Sequence, residues 1–263
     1  MEDGLYMGRA EQRCLEEVKL RYDKNEIQYY GISIEEQQQL HVLIDTAQDT
    51  DGETTTFPDF IGENGWIEHF QVSSSKCNRK GNENNRKIAS INRAIEKQIE
   101  DSINEESLIH PFSSSFCFNK DSLANYHKSF EDNWEKHYRS YLKEQGRLKD
   151  LEVSAFMLDS DDCFLKVARF EDMRERIIQR GNTELPFNIL YDRTIMEYML
   201  QYASHIKYII FKNDFLVSVI KVAAIPTILS KINYENIFVH PIQGIMIHHG
   251  FHIGPNSNLP DCF

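Results

Sequence analysis

The chain has 263 residues, enough for one elaborated domain, and with 41% hydrophobic and 11% aromatic residues it can bury a sizeable core. Its formal net charge of −12 argues against nucleic-acid binding over the whole surface, so any such contact must be confined to a local basic patch. The five cysteines, Cys14, Cys77, Cys117, Cys163 and Cys262, are odd in number, widely spaced and without a CxxC pair, which speaks for free thiols in a reducing compartment.

Residues 5–24 have a modest apolar face (Leu5, Cys14, Leu15, Val18) at helical spacing, with Glu11, Glu16 and Glu17 on the same element. A short strand is expected over 27–32. Ser33 with Glu36 forms a capping box that opens a helix to about residue 48, burying Leu40, Leu43, Ile44 and Ala47. A turn cluster at 49–53 then leads into a hairpin. Its strands, 54–61 and 66–73, are rich in Thr, Phe, Ile, Val and Trp, and Gly62 and Gly65 suit the backbone angles of a tight link. Pro58 assigns the first strand to an edge, an end or a bulge.

Helical spacing returns over 82–104 (Ile88, Ile91, Ile95, Ile99, Ile103). Residues 107–120, with Pro111 and three consecutive serines, read as a loop, and Asp121 or Ser122 caps a long helix to about 146. That helix carries an aromatic stripe (Tyr126, Phe130, Trp134, Tyr138, Tyr141) of the kind that packs against a core. Strands are expected at 151–158, 206–211 and 217–222, helices at 170–179, 193–204 and 225–231, and a Gly- and Pro-containing tail with His240, His248, His249 and His252 follows. This order predicts an α/β domain spanning 1–263 with a mixed sheet, and 107–150 as a helical insertion. The apolar window 208–228 is broken by Lys212, Asp214, Lys221 and Pro226, and the start MEDGLYMGRAEQRC lacks a basic, apolar leader; a cytoplasmic protein without a membrane partner is expected.

The best candidate for chemistry is the hairpin. Asp59 and Glu68 are acids within apolar runs on neighbouring strands, and two carboxylates facing one cleft repel or recruit a cation. Mg²⁺ or Mn²⁺ suits such oxygen ligands. Beyond the hairpin, residues 76–97 hold seven basic residues against two acidic ones, including Lys76, Arg79, Arg86 and Lys87, a stripe suited to phosphate contacts.

With Pro58-Asp59 closing one strand and Glu68 on the next, the chain resembles the PD-(D/E)XK nuclease superfamily, over about a tenth of its length. The resemblance implies a restriction-endonuclease-like mixed sheet flanked by helices, with additional helices. It also implies divalent-metal phosphodiester hydrolysis, DNA rather than RNA as substrate, and a setting such as bacterial defence. That group often adds an acid from its first helix; here Glu17 is the expected third metal ligand, with Glu11 behind it. Two residues after Glu68 the group has lysine, and this chain has Phe70. Gln71 through a bulge is the first replacement to consider; a shifted register presenting His69 and Gln71, or Lys76 or Lys80 reaching back, are the others. A homo-oligomer or a partner protein is compatible with either outcome. The rivals are a catalytically inactive interaction module of the same fold and an acidic protein that binds a nucleic-acid enzyme. Asp159, Asp161 and Asp162 read as a polar turn at a strand end.

Overall fold

The structure, a computed structural model, describes residues 10–50, 57–75, 77–78, 81–82, 109–117, 121–161, 163, 165–169, 184–241 and 245–253, with single positions at 86, 90, 93, 94 and 97. In chain order the strands are β1 (Ile27–Tyr30), β2 (Gln48–Asp49), β3 (Phe60–Ile61), β4 (Gly65–Gln71), β5 (Cys77–Asn78), β6 (Gly81–Asn82), β7 (Ile109–Cys117), β8 (Val153–Asp159), β9 (Leu165–Arg169), β10 (Glu184–Pro186), β11 (Tyr208–Lys212), β12 (Val217–Lys221), β13 (Ile237–Pro241) and β14 (Ile245–Ile253). The helices are α1 (Ala10–Asp23), α2 (Ile34–Thr46), α3 (Leu123–Leu148), α4 (Arg193–Leu200) and α5 (Ile225–Lys231).

The fold is α/β. Seven strands form one mixed sheet in the order β1-β12-β11-β8-β4-β3-β2. Its centre is parallel: β4 pairs with β8 and β8 with β11, all in one direction. The edges run back, through the antiparallel meander β2-β3-β4 on one side and β12 antiparallel to β11 on the other. β8 and β11 are buried at every position because helices cover both faces, which explains why their sequences are apolar runs and not alternating patterns.

Period-two alternation divides the side chains of this sheet between two cores. Trp66, Phe70, Phe156, Leu158, Ile209 and Phe211 lie on one face, packed with Tyr126, Phe130 and Trp134 of α3. Ile67, Ala155, Met157, Tyr208 and Ile210 lie on the other, packed with Cys14, Leu15 and Val18 of α1 and Leu40, Leu43 and Ile44 of α2. The segment read as an insertion therefore contains a helix that is one layer of the core. Its cap is Ser122, which accepts from the Asn125 N–H, and the Ser33–Glu36 capping box of α2 is complete.

Several local expectations change. Among the described residues, the first hairpin strand comprises Phe60 and Ile61, because Pro58 has no N–H to donate and Asp59 uses its side chain in place of a ladder bond; 54–56 lie outside the described residues. Neither Gly62 nor Gly65 has a left-handed φ, so a turn is not what requires them. Close approach is: a Cβ on Gly65 would lie 2.3 Å from the Val153 carbonyl oxygen, and one on Gly62 would lie 2.9 Å from that of Leu43. The segments read as loops at 107–120 and in the tail contain β7 and β14, which pair antiparallel over nine residues each. A three-stranded sheet, β10-β9-β13, was likewise not expected from sequence. The helices expected at 82–104 and 170–179 lie largely or wholly outside the described residues. Among the described residues no helix is long and apolar enough to cross a membrane.

Candidate functional site

Asp59 and Glu68 converge. The Asp59 N–H donates to Glu68 Oε2 at 3.1 Å, and Asp59 Oδ2 accepts from the His69 N–H at 2.7 Å. The segment leading into Asp59 is fixed from two sides. Thr50 Oγ1 donates to the Pro58 carbonyl at 2.6 Å, and Arg147 near the end of α3 donates to the Phe57 carbonyl at 2.5 Å. Glu68 sits mid-strand on the α3 face, 4% exposed, and its Oε1 shares a hydrogen bond with His137 Nδ1.

Burial first, and the neighbouring Glu68 second, push Asp59 up to about 7. Burial pushes Glu68 up to about 8, against the bonds it accepts from Asp59. Burial and the charge of Lys136 push His137 down to about 4. The Glu68–His137 pair therefore retains one proton between Oε1 and Nδ1 near neutral pH. Among the described residues, His137 is the basic side chain bonded to Glu68, and no lysine or arginine bridges either carboxyl. Lys136, exposed on α3, reaches Glu68 through its field, and Glu11 of α1 adds negative potential to both acids.

The other expected residues fall as follows. Glu17 is engaged elsewhere: its carboxylate lies 2.5 Å from Lys212 Nζ. The α1 acid whose charge is felt at Asp59 and Glu68 is Glu11. Phe70 stacks on His137 with ring centroids 5.1 Å apart and meets Trp134 and Phe156 edge-on, so the position that holds lysine in the resembling group is filled by core. Gln71 is exposed at the end of β4, and its backbone carbonyl accepts from Asn133 of α3. Arg86 is exposed and helical; Lys76, Arg79, Lys80 and Lys87 lie outside the described residues.

A second polar cluster occupies the opposite face of the sheet, at the carboxyl ends of its parallel strands. His69 of β4, Asp159 of β8 and Lys212 of β11 are 5%, 3% and 3% exposed, and Cys14 and Glu17 of α1 close over them. Asp159 Oδ1 accepts from the Asp161 N–H at 3.1 Å and lies 3.9 Å from Lys212 Nζ. Asp159 Oδ2 lies 3.8 Å from His69 Nε2, beyond hydrogen-bond range. Burial alone would raise Asp159; His69, Lys212 and the Asp161 N–H outweigh it and hold the group at about 2. Lys212 also pairs with Asp161, and these acids raise its ammonium further despite burial. Asp159 and Asp161 are thus more than a polar turn: they anchor a buried lysine, and Asp162 lies outside the described residues.

Sequence reasoning missed His137, Lys136 and Lys212. Two of them had a signal: His137 stands three residues after Trp134 in the aromatic stripe, and Lys212 ends an otherwise apolar strand. A cavity of about 910 Å³ lies elsewhere, lined by Tyr30, Arg169, Tyr191 and Lys231 among others, and touches neither cluster. Asp59 and Glu68, whose ionisation the fold perturbs strongly, lie away from that hollow. Comparison with models of known families, with curated proteins and with solved structures finds no match to this chain.

Proposed function

We propose that the chain is a metal-dependent nuclease that hydrolyses phosphodiester bonds, DNA in preference to RNA, with Asp59 and Glu68 as the ligands of Mg²⁺ or Mn²⁺. One observation carries the reading: two buried carboxyls on adjoining segments converge, both pushed up by burial, without a lysine or arginine bridging them among the described residues. Such a pair favours either a proton or a dication. The chain order supports the restriction-endonuclease-like form of this reading, since an antiparallel meander β2-β3-β4 is followed by a helix-bearing crossover into β8, parallel to β4.

A bound dication supplies charge stabilisation at the phosphate and a more acidic water. The chain's own residues do the rest. The His69 N–H fixes Asp59, the Asp59 N–H fixes Glu68, and His137 holds a proton against the second Glu68 oxygen. Glu11 is the third acid in electrostatic reach, and exposed Lys136 is the cation beside the site, in a position to meet substrate phosphate. Arg86 and the basic residues around it extend phosphate contact along the backbone. One observation favours a second reading, an inactive module of the same fold: Phe70, packed into the core, takes the lysine position.

Incubation with plasmid, single-stranded DNA and RNA separates the two. Cutting that needs Mg²⁺ or Mn²⁺, stops with chelator and falls about a thousandfold in both Asp59→Asn and Glu68→Gln supports the enzyme, the loss of metal-borne charge stabilisation being worth several kcal/mol. No cutting of any substrate, with no rise in Tm on adding Mg²⁺ or Mn²⁺, sinks it.

A further inference from the structure

We propose that Cys14, His69 and Asp159 form a second, separate metal site, for a transition metal of the Zn²⁺ class. Each offers one ligand atom, these atoms lie within 4.8 Å of one another, and all three residues are buried. Ligand atoms around a tetrahedral Zn²⁺ are about 3.4–3.6 Å apart by its usual bond lengths, so small side-chain movements suffice.

The neighbouring bonds leave the right atoms free to ligate. Asp159 directs Oδ1 to the Asp161 N–H and towards Lys212, and turns Oδ2 to His69. His69 Nε2 is buried and has no hydrogen-bond partner, with its side chain 4% exposed. A buried imidazole nitrogen without a partner calls for an explanation, and a metal ion facing it is one. Glu17 and Asp161 offset the nearby Lys212 ammonium, which would otherwise repel an ion. A sulfur, a nitrogen and an oxygen together suit Zn²⁺ and its neighbours and do not suit Mg²⁺ or Ca²⁺. Binding releases the Cys14 proton to solvent, and three protein ligands leave a fourth position for water.

The three residues come from α1, β4 and β8, so an ion here would pin the first helix to the centre of the sheet. His69 follows Glu68 directly, and β-alternation sends their side chains to opposite faces. The site therefore stands apart from the Asp59–Glu68 pair and does not depend on the nuclease reading.

Co²⁺, added to chelator-treated full-length protein, tests it. One equivalent is expected to bind with tetrahedral visible bands and a near-ultraviolet sulfur-to-cobalt charge-transfer band, both displaced by Zn²⁺ and unaffected by Mg²⁺. Cys14→Ser should abolish the charge-transfer band, and His69→Gln should weaken binding by at least about a hundredfold, the upper end of what losing an outer-shell partner costs. A variant with Cys77, Cys117, Cys163 and Cys262 all changed to Ser should keep both bands. Circular dichroism of each variant separates lost binding from lost folding. Folded wild-type protein that binds no Co²⁺, or a sulfur band that survives Cys14→Ser and vanishes in the four-serine variant, would overturn the assignment.

Discussion

Glu68 and Asp59 tie the stability of the fold to pH. The folded pKa of Glu68, about 8, lies above its ordinary 4.5, and that of Asp59, about 7, lies above 3.8. Between those limits the folded chain binds more protons than the unfolded one, so stability falls as pH rises. Below them both states are protonated and the cost disappears; above them it is complete. His137, pushed from 6.5 down to about 4, works the other way, adding stability as pH rises between those values. Below pH 6.5 the histidine cancels only one of the two carboxyls, so the net fall runs from about 4.5 to about 8 and steepens once the histidine drops out at 6.5. In metal-free protein the urea midpoint should therefore drop across that range, and Glu68→Gln should remove most of the drop. An unchanged pH slope in the variant would mean that Glu68 does not carry this proton.

At the scale of elements, α3 is held by Tyr126, Phe130 and Trp134, each fully buried. Trp134→Ala should cost about 3–5 kcal/mol in urea unfolding, through lost contacts and the cavity left behind. Trp134→Phe should fall within about 1 kcal/mol of wild type, because Nε1 is buried without a hydrogen-bond partner and removing it offsets part of the lost area. A Phe variant as unstable as the Ala variant would show that packing alone decides the site. This helix was legible in the sequence because its period and its Ser122 cap are local signals. β7 and β14 were not legible, because each finds its ladder in a strand distant in the chain, and Pro111, the serine run and Gly250 locally resemble a loop. The carboxyl pair was legible because one short hairpin carries both members. His137 joins it only when α3 crosses β4, and Cys14, His69 and Asp159 meet only when a helix and two strands assemble.

Across the whole molecule, the same three strands, β4, β8 and β11, supply both cores, with alternate residues turned to α3 and to the α1–α2 layer. Neither layer can leave without exposing apolar side chains of strands that the other layer still needs in place. That argues for one cooperative transition, and the chain carries a probe for each face. Its two tryptophans, Trp66 and Trp134, both lie on the α3 side, whereas Cys14, 1% exposed, lies under α1 on the other. In the presence of chelator, and with the other four cysteines changed to Ser, tryptophan fluorescence and Cys14 thiol labelling should change at the same urea concentration. Leu43→Ala, on the α2 side, should lower both midpoints together, at a cost of about 2–5 kcal/mol. If Cys14 becomes reactive while the fluorescence is still native, the α1–α2 layer opens on its own, and the sheet transmits less between its faces than shared strands require.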